Sequence, residues 1–438
     1  MISTLSRLLA FALAAAPAWA DQSEAAPAEE RFGLHFQTTI ATQAHPAFPA
    51  LYSGRNSMHS EAESATSVVT DLFAAVRLWP GAAFYFQPEL SGGAGLSSTV
   101  GVAAFPSGEV YRVGSPKPAV LAARVFLREI VGLGGGKVPV PPGPNQLGGT
   151  RDRDAFTITV GKIAVPDFVD SVPLSNDPHT HFLSWGLFAS AAYDYPADTR
   201  GYTWGAAADL SIDWWSVRGA LVLEPKYANL LPMEWRIDKA RGLVGEVEGR
   251  FVLGGGKGAA RALVFLNDAH MGSYREALDD PSAGLDVTAT RAFGRTKAGF
   301  ATSANLDLGG GLGVFGRASY NDGTNETWAF TEIDRSVAAG AVQSGERWGR
   351  PDDEAGAAVV VSGLSALHRR YLQAGGYGFI IGDGALRYGL ETLGEVYYRA
   401  AVSREISLGV NYQPIVNPAF NRDRGPIHVF TGRVHVAF

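Results

Sequence analysis

The sequence predicts an all-β fold, a transmembrane antiparallel β-barrel of about sixteen strands with one loop folded inward as a constriction. Three observations carry that prediction. Residues 428–438, His-Val-Phe-Thr-Gly-Arg-Val-His-Val-Ala-Phe, alternate with a period of two: Phe430, Val434, Val436 and Phe438 share one face, and Thr431, Arg433 and His435 the other. Lipid on one side of a strand and a wet lumen on the other demand that pattern. The chain is also rich in glycine, at 53 residues, and in aromatics, at 11%, yet no run beyond the N-terminal segment is long enough to cross a bilayer as a helix. Strands that alternate apolar and polar residues meet the bilayer's demand for paired backbone without such a run. Finally, Arg7 is the only charge before the apolar stretch 8–16, and Ala18-Trp19-Ala20 follows. This reads as a signal peptide over 1–20 with a mature start at Asp21, since the stretch is shorter than the roughly 20 residues of a spanning helix.

Strands follow in order after a short acidic lead-in over 21–32, and 33–438 is expected to form one barrel domain. Leu34, Phe36, Thr38 and Ile40 alternate with His35, Gln37 and Thr39. A strand near 64–78 carries Val68, Leu72, Val76 and Leu78 outward, with Asp71 and Arg77 inward. The Trp79-Pro80-Gly81 turn leads to Phe84, Phe86 and Leu90 outward, opposed by Gln87 and Glu89. A Gly/Ser-rich loop spans 91–118; Leu121, Ala123, Val125 and Leu127 then alternate with Arg124, Phe126 and Arg128. A proline-rich connection is expected over 132–154, then strands at 155–162, 202–212, 215–224, 244–253, 258–267, 296–308, 312–321, 326–338, 354–363, 388–401, 406–414 and the final one. Short Gly-rich turns should occupy the periplasmic rim and long polar loops the outer one. The total is sixteen, with eighteen as the alternative count. The strand at 326–338 fits least well: Glu332 and Asp334 share parity with Trp328 and Phe330, so a bulge would be needed to keep charge off the lipid face.

Parity also assigns the lumen. Nine acids (Asp71, Glu89, Asp209, Asp213, Glu246, Glu248, Asp307, Glu391, Glu395) point inward with nine arginines (Arg77, Arg124, Arg128, Arg218, Arg250, Arg261, Arg317, Arg399, Arg433). A phosphate pore should show a one-sided basic field; interleaved charges suit a polar, uncharged solute, or simply keep a channel hydrated. The formal charge of −6, or −7 once Arg7 leaves, lacks the basic footprint that nucleic acid requires. With no cysteine there is neither a disulfide framework nor a thiolate ligand. Gly132-Leu-Gly-Gly-Gly-Lys137 and Gly254-Gly-Gly-Lys257 resemble phosphate loops only faintly and read as turns. Neither a Gly-x-Ser-x-Gly nor a His-Glu-x-x-His motif is present, and the inward positions offer only His35 and His435 with no nearby serine. No enzyme and no cofactor are expected.

The segment 163–201 is unlike the other loops. It runs Ile-Ala-Val-Pro-Asp-Phe-Val-Asp-Ser-Val-Pro-Leu-Ser-Asn-Asp-Pro-His-Thr-His-Phe-Leu-Ser-Trp185 and closes on Asp194-Tyr-Pro-Ala-Asp198-Thr-Arg200-Gly-Tyr-Thr-Trp204. Its aromatics, carboxylates and turn formers predict a compact loop able to narrow a barrel. Residues 161–205, above all Asp-Tyr-Pro-Ala-Asp-Thr-Arg-Gly-Tyr-Thr-Trp-Gly at 194–205, strongly resemble the carbohydrate-selective porins of the OprB type. Matching stretches recur at Gln87-Pro-Glu-Leu90, Ala123-Arg-Val-Phe-Leu-Arg128, Thr331-Glu-Ile-Asp-Arg335, Gly382-Asp-Gly384 and 417–426.

The resemblance implies a sixteen-stranded outer-membrane porin of a Gram-negative bacterium that passes monosaccharides or small oligosaccharides. Its partners would be outer-membrane lipid, a sugar, the barrel-assembly machinery through the last strand and, as an open possibility, further copies of itself. Loop composition, parity and resemblance together make 167–200 the expected constriction. Glu89, Arg124, Arg128, Asp167, Asp170, Trp185, Asp194, Asp198 and Arg200 are the expected pore-lining residues. One departure from the family pattern opens an alternative. His179 and His181 form a His-x-His pair near Asp177, a ligand set suited to passage of a divalent metal such as manganese; general passage of small polar solutes is the other alternative.

Overall fold

The computed structural model describes residues 28–110 and 116–438; the signal segment, and most of the lead-in, lie outside the described residues. Sixteen antiparallel strands close into a barrel, each beside its sequence neighbour, with β1 (Phe32–His45) returning to β16 (Ile427–Ala437). The intervening strands are β2 (Glu63–Trp79), β3 (Ala82–Gly93), β4 (Ala119–Val140), β5 (Gly149–Ile163), β6 (Thr203–Ile212), β7 (Trp215–Val222), β8 (Arg241–Leu253) and β9 (Gly256–Ala269). The rest are β10 (Arg295–Asp307), β11 (Leu312–Asn321), β12 (Arg335–Ser344), β13 (Glu354–Gly363), β14 (Glu391–Ala401) and β15 (Ile406–Val416). Closure pairs every strand on both sides around the ring, which is what the hydrocarbon layer requires. At the seam Phe36 and Phe438 exchange backbone hydrogen bonds of 2.7 and 3.0 Å and stack their rings 5.0 Å apart.

Burial along the strands is inverted relative to a water-soluble sandwich. Leu72, Phe86, Val217, Val264, Val337, Val359 and Val410 are exposed, whereas Asp71, Glu246, Glu248, Arg317, Glu395 and Arg433 are buried. On β16 the expected parity holds, with Phe430 and Val434 exposed and Thr431, Arg433 and His435 buried. The apolar set therefore faces lipid. Val410, mid-way along β15 and 62% exposed, tests this. Val410→Arg should cost about 2–4 kcal/mol, the penalty of a cation at the bilayer midplane, as read by urea titration of the protein folded into vesicles. A cost near zero would mean that this face does not meet lipid.

Three expectations about elements need correction. The strand expected at 326–338 begins only at Arg335; Trp328, Phe330, Glu332 and Asp334 instead lie buried on a segment that enters the lumen. The parity conflict at Glu332 and Asp334 is thereby removed, because none of those side chains meets lipid. The expected proline-rich connection over 132–154 is largely strand, since β4 and β5 continue as a hairpin past their neighbours. Asp213 and Asp307, expected inward, are exposed at tight turns, Asp213 just past β6 and Asp307 at the end of β10.

Many inward charges serve to hold loops. Glu395 accepts the backbone N–H groups of Leu183 and Ser184 at 2.8 and 3.0 Å, and Glu391 those of Ala103, Ala104 and Ala419 at 2.7–2.9 Å. Arg433 donates to the carbonyls of Pro178, Thr180 and His181. The loop after β5 thus reaches β13 and β14, on the opposite side of a sixteen-strand ring: Phe182 packs against Phe315 and Tyr397, and a Cβ at Gly186 would come within 2.9 Å of Val360. A backbone cut off from water needs such partners, and charged ones are the strongest.

Candidate functional site

A cavity of about 630 Å3 lies inside the barrel, between the wall of β1–β4 and the in-folded loops. Its polar side is a hydrogen-bonded ladder that crosses four strands. The amide of Gln37 on β1 donates to Asp71 on β2 at 2.9 Å, and that of Gln87 on β3 to the other oxygen of Asp71 at 2.7 Å. Gln87 accepts from Arg124 on β4 at 2.7 Å, and Arg124 grips Asp167 through two hydrogen bonds of 2.6 Å each. A planar guanidinium fixed at both ends cannot rotate freely, so its remaining edge stays oriented.

A second branch runs beside this ladder. Glu89 accepts the Tyr202 hydroxyl at 2.5 Å and Ser91 at 3.0 Å, with Arg200 3.6 Å away. Arg128 lies over the rings of Tyr85 and Phe126, 5.2 and 5.0 Å from their centres, and donates to the carbonyl of Asn145 at 3.1 Å.

The apolar side is aromatic. Trp185, in the helical turn Trp185–Phe188, stacks on Phe105 at 5.3 Å and lies 5.4 Å from Tyr195, Phe330 and Phe188. All five rings line the cavity. The indole N–H of Trp185 is enclosed and has no hydrogen-bond partner among the described residues.

Of the nine residues expected from the sequence, Glu89, Arg124, Arg128, Asp167, Asp170, Trp185 and Arg200 line this one cavity. Asp170 is largely occupied, holding Ser190 through two hydrogen bonds of 2.6 Å and Arg317 through one of 2.5 Å. Asp194 and Asp198 are not among the lining residues. Asp194 is fully buried and accepts the backbone N–H groups of Trp328, Ala329, Phe330 and Thr331 at 2.6–3.3 Å. Asp198 accepts those of Arg200 and Tyr202, and burial raises its pKa even with Lys162 3.5 Å away. The part of the site that sequence reading missed is Phe105, Tyr195, Phe330, Tyr202 and Asn145. Tyr195 and Tyr202 stand within the motif already noted, whereas nothing local marks the others.

His179 and His181 diverge. His179 lies 2.9 Å from Thr39, 3.1 Å from Gln37 and 3.0 Å from Glu109; His181 points toward Glu354 at 3.5 Å. Among the described residues no group of three or more His, Asp or Glu is placed to hold a metal ion. Burial disfavours the His179 imidazolium, but Glu109, Asp177 and Asp71 outweigh it and push the pKa up to about 10. The contact therefore stabilises the docked loop fully below the ordinary value of 6.5 and loses that effect as pH rises through about 10. A conductance–pH curve should show a transition near there that His179→Gln abolishes; a transition kept in the variant would point to another group.

Residues 55–438 match the family model described as carbohydrate-selective porin, OprB family. The chain belongs to the OprB family of porins. It is an integral protein of the Gram-negative outer membrane and a porin for carbohydrates. Among solved structures, the high-pH form of Pseudomonas putida OprB is 14% identical, over 93% of this chain and 94% of that one, with a TM-score of 0.69. Its low-pH form is 12% identical, over 93% of each chain, with a TM-score of 0.49. No curated protein matches the sequence. The likeness to the high-pH form concerns the fold, so the solute has to be argued from this OprB-family chain's own cavity.

Proposed function

We propose that this porin conducts uncharged monosaccharides and short oligosaccharides into the periplasm. The observation that carries the reading is that one cavity has both an aromatic wall and a fixed donor–acceptor ladder. A pyranose presents an apolar ring face and a girdle of hydroxyls, so it needs both surfaces at once. Glu89, Arg124, Arg128, Asp167 and Arg200 would bind hydroxyls in pairs, while the aromatic wall around Trp185 adjoins a ring face. The cavity volume falls within the about 300–1,000 Å3 usual for small-molecule sites. Because Arg124 is already neutralised by Asp167, binding should be weak enough for release, as conduction requires.

Planar-bilayer recordings with glucose test this reading. Arg124→Ala with Arg128→Ala should lower sugar-dependent block of the ion current several-fold and leave open-pore conductance of the same order. Unchanged block in the double variant would remove sugar from this cavity. Liposome swelling with glucose, neutral amino acids and small anions then ranks the solutes, and equal rates for all three would favour a general porin.

A further inference from the structure

The hairpin formed by β4 and β5 is longer than barrel closure needs. From Gly132 to Val140 and from Gly149 to Asp154 the two strands pair only with each other, because β3 ends opposite Glu129 and β6 opposite Ala155. The extension starts at the rim of tight turns. It does not project straight: the ladder shifts register between Gly132 and Gly134 and again between Gly134 and Lys137, where Gly134, Gly135 and Gly136 have φ of 97°, 76° and 91°. Only glycine adopts three such angles in succession without strain. The Gly-Gly-Gly-Lys run is therefore a bend.

The bend returns the hairpin tip to the barrel. Gly148 donates to the Glu30 carboxylate at 2.7 Å and accepts from the Glu30 N–H and the Arg77 guanidinium at 3.1 and 3.0 Å; Thr150 donates to Glu29 at 2.9 Å. Leu147 is buried, 2.9 Å from where a Cβ on Gly33 would sit. Pro144, Asn145 and Gln146 thereby line the same cavity as the arginine ladder. Asn145 is fixed there in a left-handed conformation, φ 54°, accepting from Arg128 through its carbonyl and donating to Gln87 at 3.0 Å through its amide. Its side-chain oxygen is enclosed, with no hydrogen-bond partner among the described residues.

We propose that this folded-back hairpin is a second filter, on the tight-turn side of the pore: its tip sets the size limit for solutes leaving the cavity, and Asn145 is a specificity-determining contact for them. The in-folded loop after β5 leaves the other end of that strand, at Ile163, so the hairpin tip can be altered without cutting into it. Asn145 lines the cavity beside the donors of Arg124 and Arg128, and its amide is held on Gln87.

Val140 and Gly149 are register partners, so an Asn-Gly turn can replace residues 141–148 and leave the barrel ladder untouched. Bilayer conductance and exclusion of polyethylene glycols of graded mass are then compared with the parent. The shortened channel should conduct several-fold more and admit larger polymers. A parental conductance and exclusion limit would overturn the filter. Should the shortened chain fail to show heat-modifiable mobility, Glu29→Ala with Glu30→Ala and Arg77→Ala, which removes the side-chain pins and keeps the tip, gives the same two readings. Asn145→Ala should shorten glucose residence several-fold at an unchanged exclusion limit; unchanged residence would overturn the contact. Polymer exclusion is independent of solute class, so failure here is distinct from failure of the sugar reading.

Discussion

Asp194→Ala should release the segment 322–334 from the lumen wall and make it the most protease-sensitive part of the folded barrel. The carboxylate, fully buried, is the shared acceptor for four consecutive backbone N–H groups, with the Lys297 ammonium 3.7 Å away. Alanine removes the acceptor those four N–H groups share and the carboxylate beside Lys297, which keeps the Thr327 hydroxyl at 3.3 Å. At about 1–3 kcal/mol for each stranded donor, the total exceeds what one short loop can absorb by small shifts. Phe330 would leave the aromatic wall with the segment, so open-channel noise should rise and glucose block fall together. Asp194→Asn keeps one oxygen and should sit between the two. Limited proteolysis and bilayer recording on the same preparation check this. A protease-resistant variant with only sugar block impaired would instead make Asp194 a direct solute contact, as its place in the family motif suggests.

That contrast shows what the chain discloses before it folds. Period-two alternation is a local signal, written by lipid on one side of each strand, and so the strand count and the outward face of β16 are legible from residues such as Phe430 and Val434. The role of an inward charge is not local. Glu395 and Glu248 have the same parity, yet one holds loop backbone and the other sits among Arg218, Arg250 and Arg261. Which of these occurs depends on a loop from the far side of the ring. The same reasoning covers Trp328 and Phe330, whose aromatic run reads as strand although Asp194 draws it inward. It covers the hairpin too, since a glycine run signals a change of direction without saying where the chain returns. Seven of the nine expected lining residues meet in one cavity because the family motif captured a folded unit. The two that do not, Asp194 and Asp198, are the carboxylates that fold it.

Phe438→Asp should remove most of the outer-membrane yield while leaving the conductance of whatever channel assembles unchanged. Phe438 is joined to Phe36 by two backbone hydrogen bonds and ring stacking, at the point where β1 meets β16. Every other pairing in the barrel links strands joined by a turn or loop, so it is helped by the proximity of its partners; the β1–β16 pairing joins elements almost four hundred residues apart and bears the largest loop-closure cost. An aspartate there removes the stacked ring and places a charge on the lipid side near the interface, a burden of about 0–1 kcal/mol in the folded state. That is too small to unfold a closed barrel. The loss should therefore appear in assembly, where an open chain with unpaired edges is exposed to aggregation, and we expect the final strand to be the element the barrel-assembly machinery engages. Quantifying heat-modifiable protein in isolated outer membranes, with single-channel conductance of the purified residue, separates the two stages. Parental yield would mean that closure does not depend on this contact, and an altered conductance would place Phe438 in the finished pore.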